Sequence, residues 1–114
     1  MHLYVIAEQP LGPCKIGVAN DPLARLQELQ IGNHRRLVLY NRIKVEDHRY
    51  AERTAHSLAR RNKQHLRGEW FAISVLEAVE IIKKAVDMST RRPRRRLDSH
   101  SAAIFKAALD LVSR

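Results

Sequence analysis

The chain opens with two short apolar runs, at residues 3–7 and 14–19, set either side of Gln9-Pro10-Leu11-Gly12-Pro13. No other feature constrains its fold as strongly. Both runs are rich in β-forming residues, and the segment between them is dense in turn formers. Two strands joined by so short a connection pair as an antiparallel hairpin. A helix start follows at Asp21-Pro22: Asp caps orphan amides, and Pro at the first helical position forfeits no hydrogen bond. Leu23, Leu26 and Leu29 form an apolar stripe on that helix, and Gly32 is its stop.

Further along, residues 36–45 read as a third strand, apolar on both faces at Leu37-Val38-Leu39-Tyr40. Residues 47–63 read as a helix whose inward face, Ala51, Ala55, Leu58 and Ala59, is small enough to lie close to a sheet. Residues 69–73 are a short extended or edge piece. Ser74 and Glu77 have capping-box spacing, and Val75, Val79, Ile82 and Val86 carry an amphipathic helix to about Asp87. The expected architecture is therefore an α/β domain of the α+β kind, with a small three-stranded antiparallel sheet flanked by helices, spanning residues 1–87. Residues 88–98 hold Arg91-Arg92-Pro93-Arg94-Arg95-Arg96 and read as an exposed basic linker. Residues 99–114 recover helical spacing at Ile104, Ala108, Leu111 and Val112, a terminal helix that docks on the body or builds a homodimer.

At 114 residues there is room for one small domain with little stability to spare. The formal charge is +9, and it is unevenly placed: four basic against three acidic side chains in residues 1–40, eight against four in 41–73, nine against five in 74–114. Such an excess concentrates polyanions, nucleic acid first among them. A membrane surface is the weaker partner, because no segment pairs a basic face with a wide Leu or aromatic one. The single cysteine, Cys14, excludes an internal disulfide and a Cys-rich zinc site, and reads as a small buried residue. Met1-His2 leads straight into a strand, and no apolar stretch approaches the ~20 residues that span a bilayer. The expected location is cytoplasmic.

A set of residues in chain order carries the functional expectation. Tyr4 lies in the first strand, Lys15-Ile16-Gly17 in the second and Arg25 on the first helix. Glu52 and His56 follow on the second helix, and Gly68-Glu69-Trp70-Phe71 closes the set. This order resembles the GIY-YIG nuclease superfamily, in particular a compact branch, common in phages and bacteria, whose second tripeptide reads Lys-Ile-Gly and whose domain closes with Gly-Glu-Trp-Phe. His2-Leu3-Tyr4 stands where Gly-Ile-Tyr would, and Lys15 where the broad superfamily has tyrosine. The resemblance covers roughly residues 3–73. It implies a divalent-metal-dependent endonuclease acting on DNA, with Mg²⁺ or Mn²⁺ held by Glu52, phosphate held by Arg25, and Tyr4 at the catalytic centre.

Those residue types suit phosphodiester hydrolysis. A hard cation prefers oxygen ligands, and arginine offers phosphate a fixed fork of donors. Tyrosine, with an ordinary pKa of about 10, is a poor base until a cation lowers it. Lys15 would bind phosphate or depress the Tyr4 pKa by its charge. His56 shares a helix face with Glu52 and would act beside the metal or on phosphate. Glu69 would join the site, cap, or pair with an arginine, while Trp70 and Phe71 read as core anchors. His34, His48, His65 and His100 read as loop or surface residues. Arg35, Arg36, Arg60, Arg61, Lys63, Arg67, Arg91, Arg92, Arg94, Arg95 and Arg96 would track a phosphate backbone. The alternative is a catalytically weak or inactive nucleic-acid-binding module of the same fold.

Overall fold

In a computed structural model, which describes residues 1–61 and 65–91, the chain forms a five-stranded sheet and three helices. The elements are β1 (His2–Ala7), β2 (Cys14–Ala19), α1 (Pro22–Gln30), β3 (Val38–Lys44), α2 (His48–Arg60), β4 (His65–Arg67), β5 (Trp70–Phe71) and α3 (Val75–Arg91). The sheet order is β3-β1-β2-β5-β4, and every pairing is antiparallel. The predicted hairpin forms in full register, from His2 opposite Ala19 to Ala7 opposite Cys14.

The three-strand expectation is corrected to five. The piece expected at an edge, β5, is an interior strand between β2 and β4. A two-residue strand and a three-residue strand are too short to show any alternation in sequence. Their apolar anchor is Phe71, which is fully buried. Helix α3 runs to Arg91, beyond the expected end near Asp87. Lys63, Arg92, Arg94, Arg95, Arg96, most of the expected linker and the expected terminal helix with its homodimer contact lie outside the described residues.

Both sheet faces are covered, so residues 3–7 of β1 are all fully buried. On one face Leu3, Val5, Ala7, Cys14, Ile16 and Phe71 pack against Ala51, Ala55 and Ala59 of α2 and Ala78, Ile82 and Ala85 of α3. The alanines let the two helices lie close to the strands, and Leu58 is only half-buried. The buried face of α3 is centred on Ala78, Ile82 and Ala85, with Val75, Val79 and Val86 at its margin. On the other face Tyr4, Ile6, Ala19 and Leu37 meet Leu26 and Leu29 of α1, and Leu23 stays exposed.

Local chemistry sets the element ends as expected. Asp21 Oδ1 accepts from the Leu23 and Ala24 amides at 3.1 and 3.3 Å. Ser74 Oγ accepts from the Glu77 amide at 3.1 Å and donates to the Glu77 carboxylate at 3.2 Å. The β1–β2 turn is pinned to the start of α3 through Val75 N–H and Pro10 O at 2.8 Å. Gly12 sits there with φ +85°, and a Cβ on it would run into the Ile73 carbonyl.

Candidate active site

Tyr4 stands opposite Gly17 in the β1–β2 ladder. Residues so paired share a sheet face with Cβ atoms about 5 Å apart; the glycine leaves that place to the tyrosine ring. A Cβ on Gly17 would lie 2.6 Å from the Tyr4 hydroxyl oxygen and 2.7 Å from Glu69 Oε2. Gly17 is therefore needed for space, and its φ is an ordinary one. The Tyr4 hydroxyl is fully buried and has no hydrogen-bond partner among the described residues.

Three elements bear on that hydroxyl. Burial does most to push its pKa up, to about 12, and Glu69, Glu52 and Glu28 add to the rise. Arg25, on α1, is the charge that lowers it. Arg25 and Glu52, far from Tyr4 in sequence, thus both come near enough in the fold for their charges to act on its hydroxyl. Arg25 is half-exposed, with Nε 3.4 Å from Glu28 Oε2 one turn on.

Glu52 and His56 come from the flank of α2 beside its buried alanines. A hydrogen bond to β2, just past the end of the β2–β5 ladder, ties this helix to the site. Strand β5 pairs with β2 only at Cys14–Phe71 and Lys15–Trp70. Beyond them the Ile16 amide still donates to the Glu69 carbonyl at 3.1 Å. The Ile16 carbonyl instead meets His56 Nε2 at 2.7 Å. A carbonyl can only accept, so Nε2 is the donor, and Nδ1 is the ring nitrogen left to serve as a ligand. The imidazole also leans on Phe71, with ring centroids 5.4 Å apart.

Glu69 completes the cluster. One donor atom each from Glu52, His56 and Glu69 lies within 4.8 Å of the others. Two carboxylates and an imidazole are a donor set that fits a divalent cation. Glu69 pairs with Lys15, Nζ to Oε2 at 3.2 Å, rather than with an arginine, and the ammonium sits 6.0 Å from the Trp70 ring centroid. The charge of Lys15 is thus spent on Glu69, and the cation acting on Tyr4 is Arg25. In the sequence Glu69 is open to several roles, and the signal for this one is its place in Gly68-Glu69-Trp70-Phe71.

The structure brings Tyr4, Lys15, Arg25, Glu52, His56 and Glu69 together. Of the arginines read as phosphate contacts, Arg35, Arg36, Arg60, Arg61, Arg67 and Arg91 are all exposed. Arg35 has an acidic neighbour, Glu8, at 3.7 Å, and Arg91 has Asp87 at 3.3 Å. Among the described residues no helix is long and apolar enough to cross a membrane.

A family model described as the T5orf172 domain matches residues 1–86, the whole of the sheet and most of α3. This is a phage-associated domain related to GIY-YIG and nuclease-like folds. No curated protein and no solved structure gives a significant match to the chain.

Proposed function

The chain belongs to the T5orf172 domain family, and from that premise and the geometry above we propose that it is a GIY-YIG-like, divalent-metal-dependent endonuclease hydrolysing DNA phosphodiester bonds. The observation that carries this reading is the Tyr4 hydroxyl, buried without a partner beneath Gly17 and flanked by Glu69, Glu52 and Arg25. A structural tyrosine in a core satisfies its hydroxyl. One left unsatisfied beside two carboxylates and a guanidinium is placed to meet something that binds.

Glu52 would hold Mg²⁺ or Mn²⁺, with His56 and Glu69 beside it. Such an ion, when bound, supplies Lewis-acid polarisation of the phosphate and neutralises the departing oxygen. Arg25, half-exposed and only loosely engaged by Glu28, turns its fork of donors to the non-bridging phosphate oxygens and stabilises the charge that grows there. Tyr4 keeps its proton in the resting site, since its pKa lies near 12. Its first role is therefore as a donor that aligns the attacking water or a phosphate oxygen. Lys15 holds Glu69 in place and keeps the acidic cluster from repelling the phosphate. The exposed arginines at 35, 36, 60, 61 and 91 add sequence-independent affinity for the backbone.

Incubation of the full chain with plasmid and branched DNA plus Mg²⁺ or Mn²⁺ tests the proposal. Metal-dependent nicking that Glu52→Ala abolishes supports it, and no cleavage, or cleavage untouched by Glu52→Ala, removes it. The Lys15–Glu69 ion pair favours one second reading, a binding module of the same fold, because it places a lysine where the wider superfamily has a second phenol. That module would bind DNA in a salt-sensitive way without metal-dependent cutting.

A further inference from the structure

We infer that Glu52, His56 and Glu69 form a three-donor site that takes a divalent transition metal, Mn²⁺ or Co²⁺, before any nucleic acid arrives. This rests on the reading of Glu52 as a metal ligand and deepens it. A lone carboxylate leaves an ion most of its waters and needs the substrate phosphate to complete its grip. Three protein donors do not.

Four observations carry the inference. The donor atoms of the three residues lie within 4.8 Å of one another. Two ligands on one ion, each about 2.0–2.2 Å from it, are up to ~4.4 Å apart, so small side-chain rotations close the set. The His56 ring is already oriented, since its Nε2 donates to the Ile16 carbonyl at 2.7 Å. A backbone carbonyl on the far ring nitrogen is a common way to fix a ligating histidine and its tautomer. Glu69 is held from both sides, its carbonyl by the Ile16 amide at 3.1 Å and its carboxylate by Lys15 at 3.2 Å. The bond to Lys15 engages Oε2, and Lys15 shows that the carboxylate draws a cation. Finally, the buried, unpartnered Tyr4 hydroxyl lies against the same point as Glu69 Oε2. A buried polar group left without a partner beside the carboxylate would be satisfied by a ligand bound there.

The imidazole sets the choice of metal. Mg²⁺ demands oxygen ligands and sheds water reluctantly, whereas imidazole nitrogen suits the first-row transition metals, whose affinity rises from Mn²⁺ to Co²⁺. Lys15 pairs with Glu69, and among the described residues Glu52 forms no ion pair, so its carboxylate stays available to an ion.

The test is direct metal binding by the full chain without DNA. Co²⁺ binding is followed by its visible absorption, and Mn²⁺ and Mg²⁺ binding by calorimetry. The wild type is compared with Glu52→Gln, His56→Gln and Glu69→Gln, each checked for an unchanged circular dichroism spectrum. Glutamine at 56 keeps an N–H for Ile16 while removing the ring nitrogen donor. The expected result is Mn²⁺ and Co²⁺ binding at least ~10-fold tighter than Mg²⁺. Each of the three substitutions should weaken Co²⁺ binding by about 10-fold or more. Wild-type affinity in both His56→Gln and Glu69→Gln overturns the inference, and if Glu52→Gln alone abolishes binding, the single-carboxylate site stands. DNA cleavage by a wild type that binds no metal on its own likewise sinks the inference and spares the nuclease reading. The absence of both metal binding and cleavage removes the two together.

Discussion

The Nε2 of His56 donates to the carbonyl of Ile16 across 2.7 Å, and this bond couples helix α2 to strand β2 where the β5 ladder gives out. It satisfies a strand-edge acceptor and orients a ring of the candidate site in a single contact. His56→Ala would leave that carbonyl without its donor and remove the packing on Phe71. An unsatisfied buried acceptor costs about 1–3 kcal/mol. Chemical denaturation should show a loss of that size for His56→Ala and a smaller one for His56→Gln.

Tyr4→Phe should separate stability from function. The hydroxyl makes no hydrogen bond among the described residues, so its removal breaks none. Relief of a buried unsatisfied group predicts stability unchanged or raised by about 1 kcal/mol. Cleavage should nevertheless fall sharply. Equal losses of both in a melting curve and a nicking assay would make the tyrosine merely structural.

Gly17→Ala brings a methyl group within 2.6 Å of the Tyr4 hydroxyl and 2.7 Å of a Glu69 oxygen. Both must move. The expected cost is about 1–3 kcal/mol from overpacking, together with lost cleavage. Combining it with Tyr4→Phe should recover only a small part of the stability, since the nearest of three colliding atoms is gone while Tyr4 Cζ, at 2.8 Å, remains. Denaturant midpoints of the single and double variants check this.

Alkaline pH should destabilise the fold through two buried groups. Burial, with Glu77 adding, raises the Cys14 thiol from 9.0 to about 11, and Tyr4 rises from 10.0 to about 12. Each folded pKa exceeds its unfolded value, so the unfolded chain releases the proton first. The stabilisation is complete below pH 9 and is lost as pH climbs through 9–11 for Cys14 and 10–12 for Tyr4. Each contributes roughly 2–3 kcal/mol. Cys14→Ser retains a donor for the Ile73 carbonyl, which Cys14 Sγ reaches at 3.2 Å. It should flatten the lower part of the curve of unfolding free energy against pH.

If the exposed arginines grip phosphate, neutralising them should weaken binding across all DNA sequences alike. Each contact removed lowers the slope of log K against log salt by about 1. Arg36, Arg60 and Arg61 should each follow this rule. Arg35 should show less, because Glu8 lies 3.7 Å from it. Filter binding over a salt series reads the slopes.

What the sequence revealed followed from how local the cause was. The hairpin, the Asp21 cap and the Ser74–Glu77 box depend on residues within a few positions, and all three form as expected. Strand β4, and the interior rather than edge place of β5, were not legible because strands of three and two residues carry no period and depend on Phe71 finding the core. The α3 face came out centred on alanines, since small residues at Ala78 and Ala85 win the close approach that valines cannot make. At the site, motif order named Tyr4, Arg25, Glu52 and His56. The partner of Lys15 and the place of Glu69 depend on β5 lying beside β2, a long-range pairing that no local pattern encodes.

The central claim is that Tyr4 and Glu52 serve one reacting phosphate. Its most direct test is the single-turnover rate of Mn²⁺-dependent DNA cleavage by the wild type, Tyr4→Phe and Glu52→Gln, with DNA affinity measured alongside. The account predicts rates reduced by more than about 100-fold in both variants while affinity for DNA stays near wild type. Wild-type rates in either variant, or no cleavage by the unaltered chain, would contradict it.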